Sequence, residues 1–178
     1  MDGSKKQKLE DIYALHAKSL YHYLLRMTGS PQVAEDLVQE TFVRATISLS
    51  FYKNEQVKGW LFKVARHAYL DLWRKRQRWK WVPFFDGMEG LSSPYGEPES
   101  ALMESEAKGG VEQMFRSLPE DYRTVIYLRE HLDMSYKEIA ESMDKNESQV
   151  KVTLHRARQR MRKLREERDG HNDGMDER

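Results

Sequence analysis

Apolar side chains recur at steps of three and four residues along most of this chain, and this spacing constrains the fold more than any other feature. The first such stripe runs from Leu9 to Met27 through Ile12, Tyr13, His16, Leu20, Tyr23 and Leu24. This spacing lines one face of an α-helix, whereas a half-buried strand would alternate at every second residue. Because similar stripes follow at 33–49, 57–72, 118–132, 135–143 and 150–164, we predict an all-α fold.

Turn residues divide the stripes into separate helices. Gly29 can end the first helix in a left-handed conformation, and Ser30-Pro31 can open the second. Ser135 to Glu138 and Asn146 to Gln149 have the spacing of capping boxes, which open helices.

Composition separates two helical units. Residues 83–110 contain three prolines and five glycines, which is typical of a linker. We expect two small helical domains joined by a flexible acidic linker. The expected boundaries are 8–80 for the first domain, 81–110 for the linker, 111–167 for the second domain and 168–178 for a disordered tail.

Charge is distributed unevenly, although the formal net charge is only +1. Residues 58–80 carry eight Lys or Arg against one acid, and residues 145–168 carry nine against three. Such basic blocks attract polyanions such as nucleic acid, although solvated helix faces would also explain them. The absence of cysteine excludes disulfide scaffolds and zinc fingers. No apolar run approaches the ~20 residues of a membrane span, so a cytoplasmic location is expected.

Residues 135–158 have the spacing of a helix-turn-helix, in which the second helix presents its first turns to the major groove. An ordinary helical hairpin with a charged exterior is the alternative. The candidate duplex-DNA contacts on this helix are Ser148, Gln149, Lys151, Val152, His155, Arg156 and Arg158.

Aromatic and basic residues interleave between Trp60 and Trp81. Rings beside cations suit unstacked single-stranded bases, but the same rings could pack the protein core. Separately, Asp36, Gln39 and Glu40 share one helix face. They could dock a protein or form a solvated face, with Glu40 paired to Arg44.

Signals for catalysis are poor. No Gly-rich phosphate loop, nucleophile elbow or metal-spaced histidine pair occurs in the sequence. We therefore expect no enzyme activity, no cofactor and no metal.

Three blocks resemble a known family. Residues 34–42 and 59–74 are similar to region 2 of bacterial sigma factors, and residues 118–158 are similar to region 4. Without a separate middle domain, the chain resembles the extracytoplasmic-function group of the sigma-70 family.

The resemblance implies roles for the candidate residues. Asp36, Gln39 and Glu40 would dock on the clamp helices of the largest subunit of core RNA polymerase, and the second domain would lie at the flap. Promoter DNA would be the other partner. The −10 contacts would be Phe51, Tyr52, Asn54, Lys63, Arg66, His67, Arg74 and Arg76. The free protein would be a monomer controlled by an anti-sigma factor, which in this family can be membrane-anchored, in a stress or envelope response.

Two alternatives remain open at this point. A helix-turn-helix regulator with an N-terminal effector domain would form a dimer on two half-sites. A polymerase-regulating adaptor would bind without initiating transcription.

Overall fold

The structure is a computed structural model that describes residues 3–48, 57–79 and 106–173. Of the predicted site residues, Phe51, Tyr52 and Asn54 lie outside these ranges, as does most of the predicted linker.

Helices form all the regular structure in the described ranges, which confirms the all-α prediction. The N-terminal unit consists of α1 (Gly3–Thr28), α2 (Pro31–Ser48) and α3 (Val57–Trp79). The C-terminal unit consists of α4 (Glu106–Ser117), α5 (Glu120–Ile126), a π-helical turn (Tyr127–His131), α6 (Tyr136–Met143) and α7 (Glu147–Asp173).

Two helices extend beyond the predicted boundaries of the C-terminal unit. The first turn of α4 falls within the stretch expected to be linker, and α7 continues through residues 168–173 of the expected tail. Ion pairs one turn apart explain the longer α7, because such pairs stabilise exposed helices. Lys163 lies 3.9 Å from Glu167, and Arg165 lies 3.8 Å from Asp169.

The predicted helix ends are confirmed. Gly29 has a positive φ of 69°, and its amide donates to Leu25 at 2.7 Å. The Ser135 hydroxyl accepts from the Glu138 amide at 3.2 Å, while the Glu138 carboxylate accepts from the Ser135 amide at 2.8 Å. Asn146 and Gln149 form the second reciprocal pair, at 2.8 and 2.9 Å. Each pair satisfies amides that the first helical turn leaves without partners.

The stripes predicted from the sequence form the interior of both units. In the N-terminal unit, Leu20, Leu24, Trp60 and Leu61 are buried. In the C-terminal unit the fully buried side chains include Val125, Ile139, Val150, Leu154 and Ala157.

The two units also pack against each other, mainly through α3 and α6, and their buried residues form one continuous cluster. The Tyr23 hydroxyl lies 3.2 Å from the Thr124 hydroxyl in this interface. Tyr23 also contacts the rings of Phe62 and Tyr127. The sequence analysis predicts two units but not this contact, because no spacing within one helix reports on its fit to a distant one.

Candidate nucleic-acid interface

The face of α7 predicted to meet duplex DNA is exposed along its length. Ser148, Gln149, Lys151, Val152, His155, Arg156 and Arg158 are all exposed, whereas Val150, Leu154 and Ala157 are buried against α5 and α6. A long helix anchored on one side and free on the other is the geometry that a major-groove reader needs.

Asp144 forms the sharp turn between α6 and α7. Its backbone is left-handed, with φ 53° and ψ 42°, and the Lys145 amide donates to Ala140 at 3.0 Å. Aspartate tolerates this conformation better than most residues because its short polar side chain can bond locally. The turn therefore forms without the glycine often found in such turns.

Three of the predicted α7 contacts already have intramolecular partners. The Gln149 side chain accepts from the Asn146 amide, so bidentate pairing with adenine would require this cap to open. Arg158 pairs with Glu130 of the π-helical turn, and the Lys151 ammonium lies 5.2 Å from the centre of the Tyr136 ring. Val152, His155 and Arg156 remain the simplest candidates for direct base contact.

The basic face of α3 meets acids of the C-terminal unit. Arg66 donates to Glu120 at 2.7 and 2.9 Å and to Asp121 at 2.6 Å. Lys63 lies 2.6 Å from Asp144, whose second carboxylate oxygen lies 2.8 Å from His67 Nε2. Three of the predicted −10 contacts are therefore gathered at the interface between the units.

The ionisation of these groups reflects their pairing. Burial acts to lower the pKa of Arg66, but hydrogen bonds from its guanidinium to Glu120 and the charge of that carboxylate raise it overall. Burial acts to raise the pKa of Asp144, but hydrogen bonds from Lys63 and His67 outweigh it and hold the pKa below its usual value. Both shifts stabilise the charged forms, so the interface is ionic at neutral pH.

Arg74 and Arg76 lie farther along α3. Arg74 is exposed and donates to Asp71 at 3.2 Å, while Asp71 also accepts from Arg44 of α2 at 2.8 Å. Asp71 thus links α2 to the basic end of α3.

The aromatic residues of α3 divide between core and surface. Trp60, Phe62 and Tyr69 are buried, so the packing alternative holds for these three rings. Trp73 is 46% exposed and lies beside Arg74 in the sequence. Trp73 does not share the helical spacing of the apolar stripe. The sequence could therefore have identified Trp73 as a further candidate for base stacking.

Asp36, Gln39 and Glu40 lie together on the exposed face of α2, opposite the buried Phe42. Glu40 accepts from Arg44 at 2.7 Å, which matches the pairing expected from the sequence. Exposed Val43 and Ile47 continue the same side of the helix, so the carboxylate patch borders an apolar one.

Within the described ranges no group of three or more His, Cys, Asp or Glu side chains is arranged to hold a metal ion. None of the described helices is long and apolar enough to cross a membrane.

Family comparisons agree with this geometry. The family model for sigma-70 region 2 matches residues 12–79, and that for sigma-70 region 4 matches residues 109–161. The ECF RNA polymerase sigma factor SigM of Bacillus subtilis is 36% identical over 156 residues, which cover 88% of this chain and 94% of SigM. The chain belongs to the extracytoplasmic-function (ECF) sigma factors.

Other relatives agree with this assignment. The sigma factor YlaC of Bacillus subtilis is 33% identical over 89% of this chain and 92% of its own length. The fold matches that of RpoE, solved with the anti-sigma factor NepR from Bartonella quintana, with a TM-score of 0.69 and 22% identity over 90% of this chain and 98% of RpoE. CnrH, solved with the cytosolic domain of CnrY, gives a TM-score of 0.64 with 21% identity over 90% of this chain and 89% of CnrH.

Membership in this family has two consequences. The resemblance read from the sequence is confirmed, and the alternative of an ordinary helix-turn-helix regulator is excluded because both sigma regions are matched. ECF sigma factors are transcription initiation factors that work with core RNA polymerase at promoters, and they are not enzymes in the usual sense.

Proposed function

We propose that this ECF sigma factor reads promoters with two separate surfaces. The exposed face of α7 would contact duplex DNA at the −35 element. The basic side of α3, with Phe51, Tyr52 and Asn54 before it, would hold the melted strand of the −10 element. The α7 face carries this proposal, because seven candidate contacts form one exposed surface on a helix anchored along its other side.

Promoter opening needs no nucleotide hydrolysis on this proposal. A protein that binds unpaired bases more tightly than duplex shifts the equilibrium toward the melted state. The Arg74 guanidinium and the exposed Trp73 ring supply a cation and a stacking surface of the kind that single strands bind.

Core RNA polymerase would bind the α2 patch of Asp36, Gln39 and Glu40 through its clamp helices, and the C-terminal unit would lie at its flap. Holding both readers on one scaffold raises their effective concentration at a promoter. The free chain would therefore bind promoters weakly as a monomer in the cytoplasm.

We also propose control by an anti-sigma factor. The structure of RpoE was solved with the anti-sigma factor NepR, and that of CnrH with the cytosolic domain of CnrY. A membrane-anchored partner and an envelope-stress signal would fit the family.

Run-off transcription on genomic fragments with purified core polymerase tests the proposal. We expect core plus this chain to initiate at a limited set of sites, where core alone does not. Association with core but no initiation would favour the adaptor alternative, and no association would contradict the proposal.

A further inference from the structure

Lys151 lies on one flank of the exposed face of α7. The buried Leu154 follows it at three residues and Arg158 at seven, so the two cations share the side of the helix that borders the buried stripe. Val152 and His155 lie nearer the middle of the exposed face. The helix therefore presents a central stripe and a flank that carries two cations.

A helix in the major groove meets two different parts of the DNA. The groove is about 12 Å wide and a helix with its side chains is about 10–12 Å across, so the flanks of the helix lie against the sugar-phosphate walls while the middle of its face meets the base edges. Phosphate contacts fix the register of a protein on the duplex, and base contacts supply the sequence specificity. The flank position of Lys151 thus favours contact with a phosphate.

The Tyr136 ring of α6 holds Lys151 on this flank. The Lys151 ammonium lies 5.2 Å from the centre of the ring, within the range of cation–π attraction. Arg158 is held differently, because it pairs with the Glu130 carboxylate, which neutralises its charge. A neutral ring directs an ammonium group without neutralising it, so the full positive charge of Lys151 stays available to a phosphate.

Tyr136 is itself held in place from several sides. It is the first residue of α6, directly after the Ser135 cap, and its side chain packs against the buried cluster. The Arg129 guanidinium lies 5.2 Å from the centre of the same ring and donates to the Met134 carbonyl at 2.9 Å. The ring is thus placed before DNA arrives, which reduces the entropy that its bound lysine loses on binding.

We propose that Tyr136 is a positioning residue for −35 binding, because its ring holds the Lys151 ammonium toward a phosphate on one wall of the major groove. This contact sets the register in which Val152, His155 and Arg156 meet the base edges. The inference rests on the proposed function of α7, and Tyr136 acts through Lys151.

Lys151→Met tests the phosphate contact. Binding of the holoenzyme is measured at several salt concentrations, on one promoter fragment and on fragments with single base substitutions across the −35 element. We expect Lys151→Met to reduce the salt slope by about 1 and to weaken binding by the same factor on every fragment. Lys18→Met is the matched control, since it removes the same charge from the exposed surface of α1 and should leave the slope unchanged.

Two replacements of the ring test the positioning. Tyr136→Phe and 3,4,5-trifluorophenylalanine at position 136, introduced by nonsense suppression, both keep the aromatic shape, but fluorine withdraws the negative charge of the ring face that attracts a cation. We expect Tyr136→Phe to match the parent protein and the trifluoro ring to weaken promoter binding about threefold. In the Lys151→Met background the two rings should bind equally well, whereas a purely structural role of the ring would not depend on Lys151.

Three results would overturn the inference. These are a loss in Lys151→Met that varies with the base at one −35 position, an unchanged salt slope in that variant, and a trifluoro effect that persists without the lysine. In each case the parent holoenzyme still binds the promoter and initiates there. A parent holoenzyme that does not bind would contradict the proposed function instead, so the two failures are distinguishable.

Discussion

Arginine side chains in this chain differ mainly in how far their charge is already paired. Arg66 is buried against two carboxylates, Arg158 pairs with Glu130, and Arg156 is exposed on the face of α7 that the turn directs outward. An arginine without such intramolecular partners loses least when it binds a base. Sequence spacing places all three on basic helices but cannot report this difference.

Arg156→Ala should therefore weaken binding of the holoenzyme to −35 DNA by about 1–3 kcal/mol, the usual worth of a bidentate base contact. Arg165→Ala is the matched control, because it removes the same charge more than two turns farther along α7. Competition binding to a promoter fragment at fixed salt measures both variants. Equal losses would indicate general charge attraction rather than base recognition.

Asp36→Lys should lower the affinity for core polymerase, because a charge reversal in an exposed docking patch opposes association and speeds dissociation. We expect at least about a tenfold loss, corresponding to about 1.4 kcal/mol. Asp11→Lys makes the same reversal on the exposed surface of α1 and serves as the control. Unchanged affinity of Asp36→Lys in a core-binding titration would remove α2 from the docking surface.

At the scale of elements, the helix-turn-helix depends on how its two helices begin. The eight residues of α6 are too few to form a stable helix alone, so its capping box and its packing against α3 and α7 hold it. The box fixes where α6 begins, whereas the left-handed Asp144 ends the helix and turns the chain into α7.

Ser135→Ala should lower the free energy of unfolding by about 1 kcal/mol, the typical cost of losing an N-cap. Ser148→Ala, in the first turn of α7, makes the same change where Asn146 provides the cap. Urea denaturation followed by circular dichroism measures both variants. A loss no larger than that of Ser148→Ala would mean that packing alone positions α6.

At the scale of the whole molecule, two histidines lie near groups from both units. Burial and the charge of Lys58 lower the pKa of His16, although Glu138 acts to raise it. Burial and the charge of Arg26 lower the pKa of His131, with Glu130 acting in the opposite direction. The folded chain therefore binds fewer protons at these sites than the unfolded chain, whose histidines titrate near 6.5.

The free energy of unfolding should thus fall as the pH drops through 6.5, until the folded-state histidines are protonated as well. The double variant His16→Gln and His131→Gln should show a smaller fall over the same range. Denaturant titrations from about pH 8 to about pH 5 measure the two slopes, because stability follows the difference in bound protons. If the free energy of unfolding of the parent protein and of the double variant falls equally with pH, His16 and His131 are not the cause of the fall.

Much of the architecture follows from local sequence signals. Stripes of apolar residues predict the helices, and Gly29 and the two capping boxes predict where several of them begin and end. The contact between the units does not follow, because it depends on Gly59 approaching Glu138 and on Lys63 meeting Asp144, pairs separated by about 80 residues with no shared spacing. The sequence alone therefore could not predict that the α3 cations lie at that contact.

The most direct test of two independent readers is a transcription experiment in which protein and promoter are changed together. Initiation by the holoenzyme is measured on one mapped promoter, with base substitutions in either the −35 or the −10 element, for the parent protein, Arg156→Ala and Lys63→Ala. We predict that Arg156→Ala loses sensitivity only to the −35 substitution and Lys63→Ala only to the −10 substitution. Equal loss of sensitivity at both elements in either variant would contradict the account.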